Sequence, residues 1–248
     1  MSALTPSSLP ILNSTAFDSE PIAQDEVQLQ STITAQNDWV TLDSLMLSVK
    51  RAVDIVGAFV GLFLFTPVML AIAFSIRLDS PGPVLFRQSR RGYRGRTFQV
   101  LKFRTMTIDA EQKLRDLENS NESAGGVLFK LRNDPRVTRL GSFLRRRSLD
   151  ELPQLINVLR GEMSLVGPRP LQLRDSDLLL ASNPQAHNRR LQVIPGLTGP
   201  WQVGGRSDVS YERMVELDLD YIENLSLGRD LWIICKTFFV VLLRRGAY

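Results

Sequence analysis

The sequence predicts a monotopic membrane protein that is mainly α-helical and contains one small β-hairpin. Three observations lead to this prediction. Residues 55–76 are apolar and carry no charged side chain, but Pro67 interrupts them. Two short β-prone runs, at 84–86 and 97–103, flank a turn-forming segment. Residues 231–243 form a second apolar run, which is too short as a helix to cross a hydrocarbon core of about 30 Å.

The composition is typical of one globular domain with an appendage. The chain has 248 residues and a formal net charge of +4, which suits anionic partners such as nucleic acid, lipid head groups or phosphorylated metabolites. Residues 1–38 are polar and have no helical period, so we expect a disordered tail there and a membrane-embedded domain at 39–248. The N-terminus lacks the pattern of a signal peptide. Cys235 is the single cysteine, which excludes an internal disulfide, and we interpret it as a packing residue.

The first apolar segment is long enough to span a membrane at about 1.5 Å per residue, so a plain transmembrane anchor is the simplest interpretation. Two features favour a bent, re-entrant helix hairpin over about residues 52–77. Pro67 removes a backbone hydrogen bond and bends the helix, and the hydroxyl of Thr66 can satisfy the carbonyl that is freed. Basic residues flank both ends, and the positive-inside rule then places both ends on the cytoplasmic side.

The predicted hairpin is rich in positive charge. Seven basic residues and no acidic residue lie between Arg87 and Arg104, inclusive. A solvated basic face is the simplest interpretation. Next to a membrane segment, however, such clusters typically bind anionic head groups, at about 1 kcal/mol per residue.

The rest of the chain predicts more helices, near residues 140–147, 155–159, 171–180 and 211–223. Residues 231–243 are predicted to form an amphipathic helix in the membrane interface. A Gly- and Pro-rich segment at 195–206 can donate backbone N–H groups to phosphate, although it matches no phosphate-loop pattern. His187, the single histidine, is interpreted as a surface loop residue because no nucleophile or metal-ligand partner lies at a telling spacing.

A short acidic motif is the strongest candidate for a reactive site. Asp150 and Glu151 follow closely after three arginines, Arg145 to Arg147, and Arg169 lies in a Gly-Pro-Arg-Pro turn. Guanidinium groups beside an acidic pair are typical of a site that binds phosphate. Mg²⁺ held at Asp150 would allow an anionic nucleophile to approach an anionic substrate.

Asp150 also has a structural interpretation. As the N-cap of a helix it would place Pro153 in the first turn, where the missing N–H is harmless. A helix start favours an ionised carboxylate and a bound phosphate alike, so this interpretation is compatible with catalysis. Neighbouring helical residues point about 100° apart. We therefore expect distinct roles for Asp150 and Glu151, one attacking and the other moving a proton or holding a metal.

From Lys50 onwards the sequence resembles the bacterial sugar transferases of the monotopic phosphoglycosyl transferase superfamily. The matching pieces are Lys50-Arg51 with Asp54, the Pro-broken apolar segment, residues 80–88, 102–106, 148–155, 163–170 and 195–199, Trp201-Gln202, and Leu225-Ser226 with Asp230. One departure is Thr66-Pro67, where many members have Ser-Pro, and it keeps the hydroxyl group.

The resemblance implies transfer of a sugar 1-phosphate from a UDP-sugar to a polyprenol (undecaprenyl) phosphate, release of UMP, dependence on Mg²⁺ and a re-entrant membrane helix. It implies that Asp150 is the nucleophile, which forms a phosphosugar-aspartyl intermediate, and that Glu151 acts in proton transfer from the polyprenol phosphate. It also assigns the donor phosphates to Lys102, Arg145 and Arg169. The complete set of candidate substrate-binding residues is Lys102, Arg104, Arg145, Arg147 and Arg169.

By the same resemblance we expect an enzyme at the cytoplasmic face of a bacterial inner membrane that starts an exopolysaccharide, capsule or O-antigen repeat unit. A UDP-sugar, polyprenyl phosphate and membrane lipid are the expected partners, nucleic acid is not, and a homodimer is left open. Only a polar tail precedes the domain, so we expect a compact member without the additional membrane spans that some members carry. Two alternatives stay open, a non-enzymatic basic protein of the membrane surface and a membrane-bound phosphatase. The sequence does not identify the sugar.

Overall fold

The computed structural model describes residues 44–110, 112–113, 134–205 and 209–242. The tail predicted for residues 1–38 lies outside this part of the chain. The elements are α1 (Ser44–Asp79), β1 (Leu85–Arg91), β2 (Thr97–Phe103), α2 (Arg139–Arg146), α3 (Gln154–Leu159), β3 (Ser164–Val166), α4 (Leu173–Ser182), α5 (Pro184–Arg190), β4 (Gly196–Thr198), α6 (Pro200–Gly204), α7 (Tyr211–Glu223) and α8 (Leu227–Leu242).

The predicted helices and hairpin are confirmed. Helix α7 has the predicted bounds because the Ser210 hydroxyl accepts a hydrogen bond from the backbone N–H of Arg213 and caps its first turn. Strands β1 and β2 pair antiparallel, from Leu85 opposite Phe103 to Arg91 opposite Thr97. Strand β1 is longer than the predicted run because β2 pairs with it as far as the turn.

A second, parallel pair of strands was not predicted. In it, Ser164 of β3 lies opposite Gly196 of β4. Each strand has only three residues, which is too short for a recognisable alternation of apolar and polar positions. The backbones approach closely: a Cβ at Gly196 would lie 2.1 Å from the backbone nitrogen of Gly167. Glycine is therefore required here by close packing.

Helix α1 is a single helix of 36 residues that contains Pro67. Its segment from Leu45 to Asp79 is long and apolar enough to cross a membrane, by length and composition. No turn divides it into two arms, so the break predicted at Pro67 does not interrupt the helix. The Thr66 hydroxyl donates to the carbonyl of Leu62 at 2.6 Å. The prediction that Thr66 satisfies the carbonyl freed by Pro67 is wrong, because that carbonyl belongs to Phe63.

One face of α1 packs against the rest of the domain and the other is exposed. Near its start, Arg51 donates to the carbonyls of Val158 and Leu159. Near its end, Ile76 is buried in a core that contains Phe103 of β2. Both ends of α1 therefore contact the same compact unit. The large apolar side chains that α1 leaves exposed include Phe59, Phe63, Leu64, Leu70 and Phe74.

Asn157 fixes β2 against α3. Its side chain is fully buried, its Oδ1 accepts from the N–H of Leu101 at 3.0 Å, and its Nδ2 donates to the carbonyl of Gln99 at 2.8 Å. It thus pairs the strand edge that β1 does not cover. The contact therefore holds β2, which carries Lys102, against α3, which begins three residues after Glu151.

Helix α8 has an apolar outer stripe. Its 16 residues make it shorter than a membrane span, as the sequence predicted. The interpretation of Cys235 as a packing residue is wrong, because this side chain is exposed. The exposed side chains recur at the spacing of one helix face and are Leu231, Trp232, Cys235, Phe238 and Phe239.

Candidate active site

The acidic pair lies in a tight turn between α2 and α3. Helix α2 ends at Arg146, and Ser148 then adopts a left-handed conformation with φ 54° that reverses the chain. Leu149–Glu151 form one turn of 3-10 helix, and α3 begins only at Gln154. Asp150 is therefore not the N-cap of a helix, and that prediction is wrong. The reversal turns Asp150 inward, where it is buried.

Glu151 forms ion pairs with two cations from different parts of the chain. Lys102 Nζ donates to its Oε1 at 2.8 Å. Arg169 donates to the same Oε1 at 2.6 Å and to Oε2 at 3.3 Å. The structure thus brings together Lys102, Glu151 and Arg169, which are far apart in the sequence but were all predicted as site residues.

The carboxylate of Asp150 is bound differently. No described residue donates a hydrogen bond to it, although Lys102, Arg145 and Arg169 all interact with it electrostatically. Burial raises the pKa of Asp150 above its ordinary value, and the negative charge of Glu151 adds to this effect, while the three cations oppose it. Asp150 therefore combines burial with oxygen lone pairs that are not engaged by the described part of the protein.

Glu151 has the opposite electrostatic character. Burial alone would raise its pKa, but the charges of Arg169 and Lys102 and their hydrogen bonds outweigh burial and hold the pKa well below its usual range. Burial lowers the pKa of Lys102, with Glu151 as the largest opposing charge. The two adjacent carboxylates thus have different environments, an arrangement that suits two different chemical roles.

The first and last of the three consecutive arginines of the motif have different environments. Arg145 donates from Nε to the hydroxyl of Thr105 at 2.8 Å. Burial lowers the pKa of Arg145, and the charge of Asp150 opposes that change. Arg147 instead stacks over the ring of Phe143, with its Cζ 4.2 Å from the ring centroid. Arg145 therefore belongs to the charge cluster, whereas Arg147 is directed onto an aromatic ring and away from the two carboxylates.

Arg104 is not part of the cluster either. It follows β2 and donates to the carbonyls of Pro81 and Ser80 at 2.6 and 2.8 Å, and to the Ser80 hydroxyl at 3.0 Å. These contacts fix the turn after α1 against the hairpin. The geometry gives Arg104 a structural task and does not direct it to the acidic pair.

Two arginines that the sequence did not single out hold the backbone around Arg169. Arg190 donates to the carbonyl of Arg169 at 2.6 Å, and Arg90 donates to the carbonyl of Pro170 at 3.1 Å. The next carbonyl, of Leu171, accepts from the backbone N–H of Arg91 at 3.1 Å. Pro170 has no N–H to donate, so this segment is held through its carbonyl oxygens. The sequence feature that could have indicated a specially held backbone here is the order Pro-Arg-Pro itself.

The Gly- and Pro-rich segment supports the same turn. The N–H of Gly196 donates to the carbonyl of Pro168 at 2.9 Å, and the N–H of Gly167 donates to the carbonyl of Thr198 at 3.0 Å. The prediction of N–H donation to phosphate is therefore wrong for Gly196. This segment positions the turn that carries Arg169 by backbone pairing.

His187 is buried in α5, so its interpretation as a surface loop residue is wrong. One ring nitrogen lies 3.0 Å from the hydroxyl of Ser176. Both side chains line a small, partly open pocket that Arg169 and Arg190 also border. Ser176 is only 2 % exposed, which leaves its hydroxyl poorly accessible to a substrate.

Comparison with known proteins gives consistent matches. The family model described as bacterial sugar transferase matches residues 45–244. The chain is 42% identical over 215 residues to an uncharacterized sugar transferase of Haemophilus influenzae, a match that covers 86% of this chain and 44% of that protein. It is 44% identical over 207 residues to the exopolysaccharide production protein ExoY of Rhizobium meliloti, covering 80% of this chain and 88% of that one.

A third relative carries a more specific name. The chain is 45% identical over 204 residues to the UDP-glucose:undecaprenyl-phosphate glucose-1-phosphate transferase of Caulobacter vibrioides, covering 80% of this chain and 72% of that protein. Relatives thus differ in length, and this chain spans less than half of the Haemophilus protein. The matched region includes the acidic pair, the hairpin and the turn with Arg169.

Proposed function

The chain belongs to the bacterial sugar transferase family, and from this premise we propose that it transfers a sugar 1-phosphate from a UDP-sugar to polyprenyl phosphate, with release of UMP. One observation carries the proposal: the carboxylate of Asp150 accepts no hydrogen bond from a described residue, although it lies beside the Lys102–Glu151–Arg169 cluster. A nucleophile next to cations that can hold a diphosphate is what this reaction requires. The names of the Caulobacter and Rhizobium relatives support both the reaction and a role in exopolysaccharide production.

The first step forms a covalent intermediate on Asp150. A carboxylate oxygen attacks the phosphorus that carries the sugar, and a new O–P bond forms. The bond between that phosphorus and the oxygen bridging to the second phosphorus breaks. The bridging oxygen keeps the electron pair and leaves as part of UMP. Lys102, Arg145 and Arg169 supply positive charge where the phosphate oxygens gain negative charge.

The second step returns Asp150 to its starting state. An oxygen of polyprenyl phosphate attacks the same phosphorus, and the bond to Asp150 breaks with its electron pair on the carboxylate. The product is a polyprenyl diphosphate sugar. The proton of the attacking phosphate passes to Glu151, provided that its two cations have by then moved to phosphate oxygens.

The residues present suit Mg²⁺ as the cofactor. Asp150 has oxygen atoms to offer, whereas Lys102 and Arg169 bind both oxygens of Glu151. Within the described ranges, no group of three or more His, Cys, Asp or Glu side chains could hold a metal. Mg²⁺ is commonly bound by one or two carboxylates together with substrate phosphates, which fits Asp150. When bound, the metal would neutralise charge between the carboxylate and the phosphates.

The proposed location is the cytoplasmic face of a bacterial inner membrane, with α1 entering and leaving by that face. The contacts at both ends of α1 with one compact unit support this topology, as does Pro67 at a position where a helix bends. A homodimer stays a prediction.

Release of UMP is the direct test of the activity. Purified protein in lipid nanodiscs receives undecaprenyl phosphate, Mg²⁺ and one UDP-sugar at a time, and UMP is quantified. We expect release with at least one sugar, a loss of more than about 100-fold in the Asp150→Asn variant, and a sugar-phosphate adduct on Asp150 by mass spectrometry when the acceptor is withheld. Asp177→Asn, an exposed acid-to-amide change, is the matched control.

Two other results would replace the proposal. Hydrolysis of polyprenyl diphosphate without UMP release from any UDP-sugar would identify a membrane-bound phosphatase. Binding to anionic vesicles with neither activity would identify a non-enzymatic basic protein of the membrane surface.

Labelling of cysteines tests the topology separately. In a Cys235→Ser background, Ser48→Cys and Asp79→Cys place thiols at exposed positions near the two ends of α1. Both thiols should react with a membrane-impermeant reagent only from the cytoplasmic side. Reaction from opposite sides would establish a plain transmembrane span.

A further inference from the structure

Glu151 binds the two cations that the proposed reaction needs for the donor. Its Oε1 accepts from Lys102 at 2.8 Å and from Arg169 at 2.6 Å, and its Oε2 accepts from Arg169 at 3.3 Å. Two oxygens on one guanidinium form the same fork that a phosphate group forms. The positions at which these cations would hold phosphate oxygens are thus filled by an internal carboxylate.

This arrangement keeps the neighbouring carboxylate, that of Asp150, out of ion pairs. Asp150 precedes Glu151 in the same turn and interacts electrostatically with both cations, yet neither donates a hydrogen bond to it. Without Glu151, the carboxylate of Asp150 would be the nearest anion for Lys102 and Arg169. Ion pairs with them would engage the lone pairs that the attack on phosphorus requires.

We propose that Glu151 is an internal substitute for the donor's diphosphate, which must displace it from Lys102 and Arg169 in order to bind. The inference rests on the proposed function, because it takes the diphosphate of a UDP-sugar as the displacing anion. Glu151 keeps the two cations in position and away from Asp150 until the donor arrives.

This arrangement predicts that the donor binds more weakly than it would if the two cations were not already paired with Glu151. The donor has to break three charge-assisted hydrogen bonds before it can form its own. An anion that reaches only one cation leaves Glu151 attached to the other. A diphosphate offers oxygens to both cations, so the arrangement favours diphosphates over smaller anions.

Binding of UDP tests the proposal without catalysis. All variants carry Asp150→Asn. This change removes one carboxylate, which is the nucleophile and which could also compete with UDP for the two cations. UDP binding is measured by isothermal titration calorimetry in nanodiscs at one fixed Mg²⁺ concentration. Adding Glu151→Gln should tighten UDP binding on the order of tenfold, because a neutral amide releases the cations more easily than a carboxylate does.

Two further variants make the result specific. Adding Glu216→Gln removes one negative charge from the exposed face of α7 and should leave the affinity for UDP unchanged. Adding Glu151→Asp keeps the charge but shortens the side chain by one methylene, so it cannot keep all three contacts. Its affinity for UDP should lie between that of the protein with Glu151 intact and that of the Glu151→Gln variant, which keeps the test valid if Glu151→Gln fails to fold.

Equal or weaker UDP binding in the folded Glu151→Gln protein overturns the inference, since it would mean that Glu151 assists the donor directly. The proposed function would survive that result. The proposed function fails on a different result, which is the absence of UMP release from every UDP-sugar by the protein with Asp150 and Glu151 intact.

Discussion

Lys50 Nζ lies 2.6 Å from Asp230 Oδ2 inside the protein, and this pair joins the start of α1 to α8. Lys50 also donates to the carbonyl of Val166 at 2.9 Å. Tyr221 donates to the same carbonyl at 3.2 Å and to Asp230 Oδ1 at 2.6 Å. Val166 ends β3, just before the turn that carries Arg169. The pair therefore connects the apolar helix to the segment that presents a donor-binding arginine.

Replacing Lys50 by Met should destabilise the protein strongly, because it leaves Asp230 as a buried charge without its cation. Breaking such a pair typically costs about 3 to 5 kcal/mol, so the melting temperature in nanodiscs should fall on the order of 10 °C. Lys113→Met is the control. Its ion pair with Asp109 has the same 2.6 Å length but is about half exposed, so its loss should leave the melting temperature nearly unchanged. Equal shifts in both variants would contradict a special role for the buried pair.

The sequence predicts element types well where a local signal exists. Helix α7 has the predicted bounds because Ser210 caps it, and β2 has the predicted bounds because its apolar and β-prone residues are continuous. The turn around Asp150 could not be predicted, because Pro153 is compatible with the start of a helix at Asp150 and with the later start at Gln154. The left-handed conformation of Ser148 decides between them.

The contacts that individual side chains make were less predictable than the helices and strands. Arg145 and Arg147 look equivalent in a run of three arginines. Only the end of α2 directs Arg145 to Thr105, where its charge acts on Asp150, and Arg147 onto Phe143. Lys102 and Arg104 lie two positions apart, but Arg104 lies beyond β2 and turns back to Ser80. The ion pair of Lys102 with Glu151 depends on tertiary packing alone.

The different environments of neighbouring arginines predict different kinetic effects. Arg145→Ala should lower kcat/KM for UMP release by about 100-fold, because a cation near Asp150 is lost. Arg147→Ala should change it by less than about threefold, since Arg147 only stacks on Phe143. The two substituted residues lie two positions apart and each variant loses one positive charge, so each variant is the control for the other. A large loss in Arg147→Ala would show that Arg147 binds substrate in the reacting complex.

Arg90 is predicted to act through Arg169. It donates to the carbonyl of Pro170 and to the side chain of Gln88 at 2.5 Å. Burial lowers the pKa of Arg90 to about 10, and the nearby charge of Arg169 contributes. Arg90→Lys cannot make both contacts, so the backbone of the turn should shift. We expect the KM for the UDP-sugar to rise about tenfold with a smaller change in kcat.

The control for Arg90→Lys is Arg87→Lys on the same strand. Arg87 is exposed, and its replacement should leave KM and the melting temperature unchanged. If Arg90→Lys lowers only the melting temperature and leaves KM intact, Arg90 stabilises the hairpin without positioning Arg169.

The buried position of Asp218 predicts how the stability of the folded protein depends on pH. It is fully buried, and its Oδ2 accepts from Arg190 at 2.6 Å. Its Oδ1 has no hydrogen-bond partner in the described part of the chain. Burial raises the pKa of Asp218 from 3.8 to about 6, while the charge of Arg190 opposes the rise. Between these two values the folded protein holds a proton that the unfolded chain releases.

The contribution of Asp218 to stability should therefore be fully present below about pH 4 and be lost as pH rises through about 6. Relative to Asp218→Asn, which does not titrate, the wild-type protein should lose on the order of 3 kcal/mol between about pH 4 and pH 7. The measurement is the difference in melting temperature between the two proteins at each pH. Asp177→Asn, at an exposed position, should show no such trend. A difference that stays constant for Asp218→Asn would mean that the Arg190 ion pair keeps Asp218 ionised throughout this range.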